Sequence, residues 1–262
     1  MIDSDRYGPW ALIVGGSEGV GAGFARRLAV AGIKLVLVAR KEGPLAELAA
    51  ELQEAGAEVR TISVDLARPD ALDRVRAVTD DVEIGLMIYN AGANSVRGNF
   101  VELPAEVTRA VIQISVVGQS EFARHYGAQM CARGHGGMIL AGSLSSYMGA
   151  PSLAAYTASK AFSRIFGEAL WAECAPLGVD VLHLVIGFTA TPAMERLHID
   201  TTTAQDPEDV AQEALANLTN GPVWIAGGEG NLETAIRRSV IADRGATIRQ
   251  LATPSREAIV RK

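Results

Sequence analysis

The sequence predicts a doubly wound α/β fold, a parallel sheet of about seven strands flanked by helices, and three observations support this. Short apolar runs rich in Val, Ile and Leu recur along the chain, each followed by a segment whose apolar residues fall three or four apart. Aromatic residues make up only 5% of the chain, so core volume must come from aliphatic side chains, as it does where helices cover both faces of a buried parallel sheet. Glycine is frequent, 27 of 262 residues, and stands at the joints between these segments rather than in a repeat. No stretch rich in Pro, Gly or Ser divides the chain, so residues 1–262 are expected to form one domain.

Trp10 to Val14 is the first strand, closed by Gly15-Gly16 and followed by a helix whose Val20, Phe24 and Leu28 lie four apart. Ile33 to Ala39 is the second strand, and Leu45, Leu48 and Leu52 mark a helix that stops at Gly56. Val59 to Val64 and Ile84 to Tyr89 make the third and fourth strands, with a helix from Pro69 to Val78 between them. One long helix is expected from about Pro104 to Arg133. Met138 to Ala141 is the fifth strand, Ser152 to Ala175 a helix, and Val179 to Val185 the sixth strand. Residues 187 to 205 hold no periodicity. A helix then opens at Asp206-Pro207, with Asp as N-cap and Pro at the first helical position, and runs to about Asn220. Pro222 to Ala226 is a last strand, and the tail, about residues 231–262, is helical but weakly patterned. Right-handed crossovers between such strands place a ligand at their carboxyl ends.

The formal charge of −6, with no basic run or stripe, argues against a nucleic-acid partner or an anionic membrane surface. No 18 apolar residues run together, and the opening MIDSDRYGPW lacks a basic segment ahead of an apolar one, so no membrane association is expected and a cytoplasmic location is. Cys131 and Cys174 have no CxxC spacing and read as reduced thiols. His183, inside the sixth strand, reads as a satisfied core residue, and His125 and His135 flank helix and turn, so no metal site is expected. Only His198 is placed to face a substrate.

In Gly15-Gly16-Ser17-Glu18-Gly19-Val20-Gly21 the glycines lie between strand and helix, where close backbone approach lets a pyrophosphate sit on a helix N-terminus. Tyr156 and Lys160 share one face of a helix, so a phenol and an ammonium can meet one ligand. Asn90-Ala91-Gly92 closes the fourth strand, and Ser143 follows the fifth, thirteen residues before Tyr156. In this order and spacing the residues resemble the short-chain dehydrogenase/reductase family, over about residues 8–226. The resemblance implies a Rossmann-like fold and a hydride transfer between a nicotinamide and a carbonyl or secondary alcohol. Tyr156 would be the acid/base, Ser143 would orient the substrate oxygen, and Lys160 would bind the nicotinamide ribose and lower the tyrosine pKa. The coenzyme would lie along Gly15, Ser17, Gly19, Val20 and Gly21, Asn90, Ala91 and Gly92, with Asp65 and Leu66 at the adenine. Asp65 could instead only cap the next turn. Gly187-Phe188-Thr189-Ala190-Thr191 resembles the family's PGxVxT segment, which implies that Gly187, Thr189 and Thr191 hold the carboxamide.

Arg40 and Lys41 follow the second strand where an acid would accept the ribose 2′-hydroxyl, so NADP(H) is preferred and NAD(H) disfavoured, the alternative being two solvated loop charges. Glu18 argues mildly the other way, standing where many NADP(H) relatives place a base. Residues about 188–205 resemble the family's substrate lid. Phe188 and Met194 there, with Tyr147, Met148 and Leu153 from the loop opposite, imply an apolar pocket for a small hydrophobic ketone or secondary alcohol. Four positions depart from the family. Val14, Tyr89 and Ile186 replace its usual Thr, Asn and Pro and leave the chemistry intact, whereas Ser115 replaces the Asn of the proton relay. Ala158, Phe162, Ile165, Phe166 and Ala169 form an apolar stripe opposite the catalytic face, from which a homodimer or homotetramer is expected. Two other functions stay open, a catalytically silent NADP(H)-binding sensor and a sugar-nucleotide epimerase or dehydratase, though the latter carries a larger carboxyl-terminal domain than this sequence has.

Overall fold

A computed structural model describes residues 2–92, 96–240 and 244–252. Its seven strands are β1 (Trp10–Val14), β2 (Lys34–Ala39), β3 (Val59–Ser63), β4 (Ile84–Tyr89), β5 (Gly136–Ala141), β6 (Val179–Val185) and β7 (Val223–Ile225). They form one parallel sheet in the order β3-β2-β1-β4-β5-β6-β7. The order reverses between β1 and β4, which opens a crevice at their carboxyl ends.

Alternation along β1 explains why its sequence is apolar throughout. Ala11 and Ile13 face a cluster with Phe24 and Leu28 of α2 (Gly19–Val30), Leu45 and Leu48 of α3 (Glu42–Glu54), and Val210 and Ala214 of α9 (Pro207–Ala216). Trp10, Leu12 and Val14 face the other layer, with Val75 of α4 (Ala71–Arg76), Phe122, Tyr126 and Met130 of α6 (Gln119–Arg133), and Cys174 at the end of α7 (Ala154–Cys174).

The expected long helix over 104–133 is present as one continuous helical stretch, but it contains a π-helical turn that the sequence does not announce. α5 (Ala105–Ile112) passes through a π-helical turn, Gln113–Gly118, into α6. The phenol of Tyr89 explains the interruption: it donates to the Ile114 carbonyl at 2.6 Å. The lid also holds a short helix, α8 (Pro192–Arg196), begun by an extended Thr191 with Pro192 at its first position. α9 stops at Ala216, and a 3₁₀ turn, Leu218–Asn220, replaces its expected last turn. A first helix the sequence reading missed, α1 (Ser4–Tyr7), is capped by Asp3, whose carboxylate accepts from the Asp5 and Arg6 amides at 3.0 and 3.2 Å. The tail forms α10 (Gly228–Ser239) and α11 (Arg244–Ala252), α10 starting three residues before the expected Asn231, while residues 253–262 of the predicted tail lie outside the described residues. Other boundaries fall within two residues of expectation. No helix among the described residues is long and apolar enough to cross a membrane.

Candidate active site

The carboxyl ends of β1, β4, β5 and β6 deliver the predicted residues to one crevice. Across the reversal point, the Asn90 amide donates to the Val14 carbonyl at 2.8 Å and its side-chain nitrogen to the Gly15 carbonyl at 3.0 Å. The glycine loop is tight enough to need its glycines. Gly15 and Gly19 hold φ of +87° and +56°, and a Cβ at Gly21 would lie 2.0 Å from the Gly15 carbonyl oxygen. A Cβ at Gly19 would lie 2.9 Å from the Thr191 methyl, so the base of the lid rests on this loop.

Beyond β5, the half-buried Ser143 accepts from the Ser145 amide at 3.1 Å and lies beside the Tyr156 phenol from α7. One turn further, Lys160 lies with Nζ 5.7 Å from the Tyr156 ring centroid and donates to the Ala141 carbonyl, the end of β5, at 3.0 Å. Burial lowers the Lys160 ammonium to about 8, because the charged form is desolvated. Burial also pushes the Tyr156 phenol up, with the Ser143 hydroxyl pulling the other way. From the chain's own groups the tyrosine therefore shifts opposite to the lowering that the resemblance implies, since desolvation outweighs its polar neighbours. Ser115, in the π-helical turn, is 4% exposed. A Cβ at Gly92 would lie 2.7 Å from Ser115 Oγ and 3.6 Å from Lys160 Nζ, so hydroxyl and ammonium flank the same backbone position.

Elsewhere the placement is mixed. Glu18 begins α2 but caps nothing: its carboxylate receives Arg196 of the lid at 2.9 and 2.8 Å and has Lys41 at 3.7 Å. These hydrogen bonds and charges hold it below the usual carboxylate range, the Arg196 bond foremost. Arg40 is exposed at the end of β2, its carbonyl taken by Ser63 Oγ at 3.1 Å. Asp65 accepts from the Ala67 amide at 3.0 Å and so caps its own turn, above a buried Leu66. Thr189 is buried and donates to the Gly187 carbonyl at 3.3 Å, and the lid's base is closed by the Gln205 amide on the Phe188 carbonyl at 2.9 Å. Ser17 and Ala91 are half-buried and Val20 is buried in the core.

Among the expected substrate residues, Phe188 is exposed, Met194 half-buried, and Tyr147 lies under the Arg164 guanidinium, 4.8 Å from its ring. Met148 is corrected: its side chain is 5% exposed and offers no surface to a ligand. Leu153 and Tyr156 line a cleft with Phe100, Leu103, Val107 and Val111, a wall the sequence reading missed although Phe100 and Val101 form an exposed apolar pair. His198 is exposed on the lid at φ +53°. His183 is fully buried, yet only its Nδ1 has a neighbour, Ser163 Oγ at 3.4 Å; Nε2 has none, so it is not the satisfied residue expected. Among the described residues no cluster of His, Cys, Asp or Glu could hold a metal ion.

With this geometry in view, the comparisons are decisive. The short chain dehydrogenase family model matches residues 9–202. The chain belongs to that family. It is 35% identical to the 7beta-hydroxysteroid dehydrogenase of Collinsella aerofaciens over 85% of this chain and 88% of that protein. A solved structure from a study of 7beta-hydroxysteroid dehydrogenase stereoselectivity superposes with a TM-score of 0.90 at 30% identity, covering 97% of this chain and all (100%) of the other. A short-chain dehydrogenase from Sphingobium yanoikuyae in complex with NADPH superposes with a TM-score of 0.77 at 29% identity, covering 97% and 99%. This short chain dehydrogenase is therefore an oxidoreductase that works between CH–OH and C=O with a nicotinamide coenzyme. Its residues fit one. No side chain caps the N-terminus of α2, which leaves first-turn amides for a pyrophosphate, and the glycines beside it leave the backbone open to approach.

Proposed function

We propose that this dehydrogenase uses NADP(H) to interconvert a ketone and a secondary alcohol on a bulky apolar molecule of the steroid kind. The observation that carries it is the meeting of Ser143, Tyr156 and Lys160 at the crevice, with the Lys160 ammonium 5.7 Å from the Tyr156 ring centroid and one helical turn behind the phenol. Tyr156 Oη gives the proton to a carbonyl oxygen in reduction and takes it in oxidation. Ser143 holds that oxygen in line. Lys160, mostly ammonium at neutral pH, donates to the ribose hydroxyls and lends the phenolate a nearby positive charge. The bound nicotinamide supplies or accepts the hydride. Ser115 carries the proton relay behind Lys160, the two groups flanking Gly92. The glycine loop, Asn90 to Gly92, Gly187, Thr189 and Thr191 bind the coenzyme, and Arg40 and Lys41 meet its 2′-phosphate as paired cations.

The steroid class rests on two supports. The chain is similar along most of its length to 7beta-hydroxysteroid dehydrogenases, and the residues that border Tyr156, Phe100, Leu103, Val107, Val111 and Leu153, are apolar, although the cleft they line holds only about 20 Å³. On α7, Ile165 is 56% exposed beside the half-buried Phe162 and Phe166, which stack with centroids 5.3 Å apart, a partly exposed apolar face that supports pairing of two copies.

The test is coenzyme oxidation by the purified protein against a panel of keto-steroids and smaller ketones, with Tyr156→Phe as control. NADPH-dependent turnover on keto-steroids, lost by at least a hundredfold in Tyr156→Phe while NADPH still binds, is the expected result, on the scale of proton-transfer assistance of roughly 10²–10⁴-fold. Turnover of no bulky ketone, or a Tyr156→Phe variant as fast as the parent, would overturn it.

A further inference from the structure

The geometry points to Tyr89 as a positioning residue of the proton relay: its hydroxyl holds the π-helical turn that sets Ser115 against Gly92 and Lys160. This rests on the relay role proposed for Ser115. In a regular α-helix the Ile114 carbonyl would accept from the amide four residues on, Gly118. Tyr89, the last residue of β4, is fully buried, and its hydroxyl donates to that carbonyl at 2.6 Å. The same hydroxyl oxygen would lie only 2.7 Å from a Cβ at Gly118, so it is inserted between the two residues whose bond a regular helix needs. A glycine at 118 is what leaves room for it. The ring is held by Phe122, edge-on with centroids 5.6 Å apart, so the phenol cannot swing away without opening the core of α6. Burial pushes its pKa far up, so the group remains an O–H donor throughout the working range.

The consequence for Ser115 follows from helix geometry. A π-helical turn contains one residue more than the α-helical turn it replaces. Erasing it would rotate what precedes it by about 100° relative to α6. Since Phe122 and Tyr126 fix α6 in the core, the rotation would fall on the turn itself and carry the Ser115 hydroxyl off the Gly92 face. Tyr89 touches neither Lys160 nor Tyr156 in any hydrogen bond described; it acts through the backbone of the residue before Ser115.

Tyr89→Phe removes only the hydroxyl. It is compared with Ser115→Ala and with the double variant, reading kcat and its pH profile, NADPH affinity and thermal midpoint. Ser115→Ala should lower kcat about tenfold, and Tyr89→Phe by threefold to tenfold with NADPH affinity unchanged, at the lower end of proton-transfer assistance. The double variant should be no slower than Ser115→Ala alone, because both losses pass through one hydroxyl, and both single variants should change the pH profile in the same direction. A merely structural tyrosine would lower the midpoint and leave kcat and its pH profile alone. Should Tyr89→Phe not fold, Gly118→Ala, which crowds the same hydroxyl, gives the same comparison. A parental kcat in Tyr89→Phe, or losses that multiply in the double variant, would overturn the inference while leaving the relay intact. A silent Ser115→Ala would overturn the relay itself, and with it any positioning role for Tyr89 in it.

Discussion

Lys160→Met should stabilise the fold while ending turnover, because the ammonium proposed for catalysis is a buried charge that folding must desolvate. Burial takes Lys160 from 10.5 to about 8, and a depression of that size corresponds to about 3 kcal/mol at neutral pH. Methionine fills a similar volume without the charge. It leaves the Ala141 carbonyl without the donor now 3.0 Å away, which costs about 1–2 kcal/mol. The variant should therefore be more stable than the parent by about 1–2 kcal/mol near pH 7. The sign fixes the pH dependence. Between pH 8 and the unfolded-state value near 10.4, the unfolded chain binds the proton that the folded chain has released, so the parent gains stability as pH rises through that window. The methionine variant has no such gain, and its advantage should reverse above about pH 10. Urea unfolding of both proteins at neutral pH and near pH 10 reads the two differences directly. A gap that is the same at both pH values would refute the reasoning, as would a variant less stable than the parent at neutral pH.

Arg40→Asp should weaken NADPH binding more than tenfold and NADH binding little, since a charge-assisted pair is replaced by repulsion; equal losses in fluorescence titrations would show that Arg40 only shapes the loop. Glu18→Gln should raise the preference for NADPH over NADH severalfold, because Lys41, now 3.7 Å from the Glu18 carboxylate, would be left whole for the 2′-phosphate; an unchanged ratio would refute the assignment. Ile165→Glu should shift the protein toward monomers in sedimentation, and a parent that runs only as a 27.6 kDa monomer at micromolar concentration would remove the pairing surface on α7.

Much of this site was legible because its constraints are local. Gly15, Gly19 and Gly21 announce a backbone that must turn and be approached, and Tyr156 and Lys160 need only helical spacing to share a face. The π-helical turn was not legible. Apolar residues recur at helical spacing on both sides of it, and the single extra residue is absorbed by a donor from β4, Tyr89, which no periodicity within 104–133 contains. The Glu18–Arg196 pair was illegible for a related reason: its members stand 178 residues apart, and only the fold brings the lid onto the glycine loop. Glu18 alone looked like an obstacle to a phosphate. In the structure its carboxylate draws Arg196 and Lys41 to itself beside the loop, so its influence on a phosphate runs through the cations it holds. Met148 failed for the opposite reason, since an apolar residue in an active-site loop serves packing as readily as substrate.

His183 shows how the fold protects the charge on Lys160. A Cβ at Gly142 would lie 2.2 Å from His183 Nε2 and one at Gly167 3.0 Å from its Cβ, so two glycines clear the slot that the imidazole fills behind the Ala141–Ser143 segment. In that slot burial, and then the positive charges of Lys160 and Arg164, push the imidazole down to about 3. It therefore stays neutral wherever the enzyme works. The neutrality matters because Lys160 is already depressed to about 8 by burial alone. An imidazolium held in the same slot would repel the ammonium and lower it further, weakening its capacity to donate to a ribose or support a phenolate. The buried imidazole and the Lys160 ammonium thus oppose one another, and the imidazole, whose ordinary value already lies well below the lysine's, is the one that stays neutral.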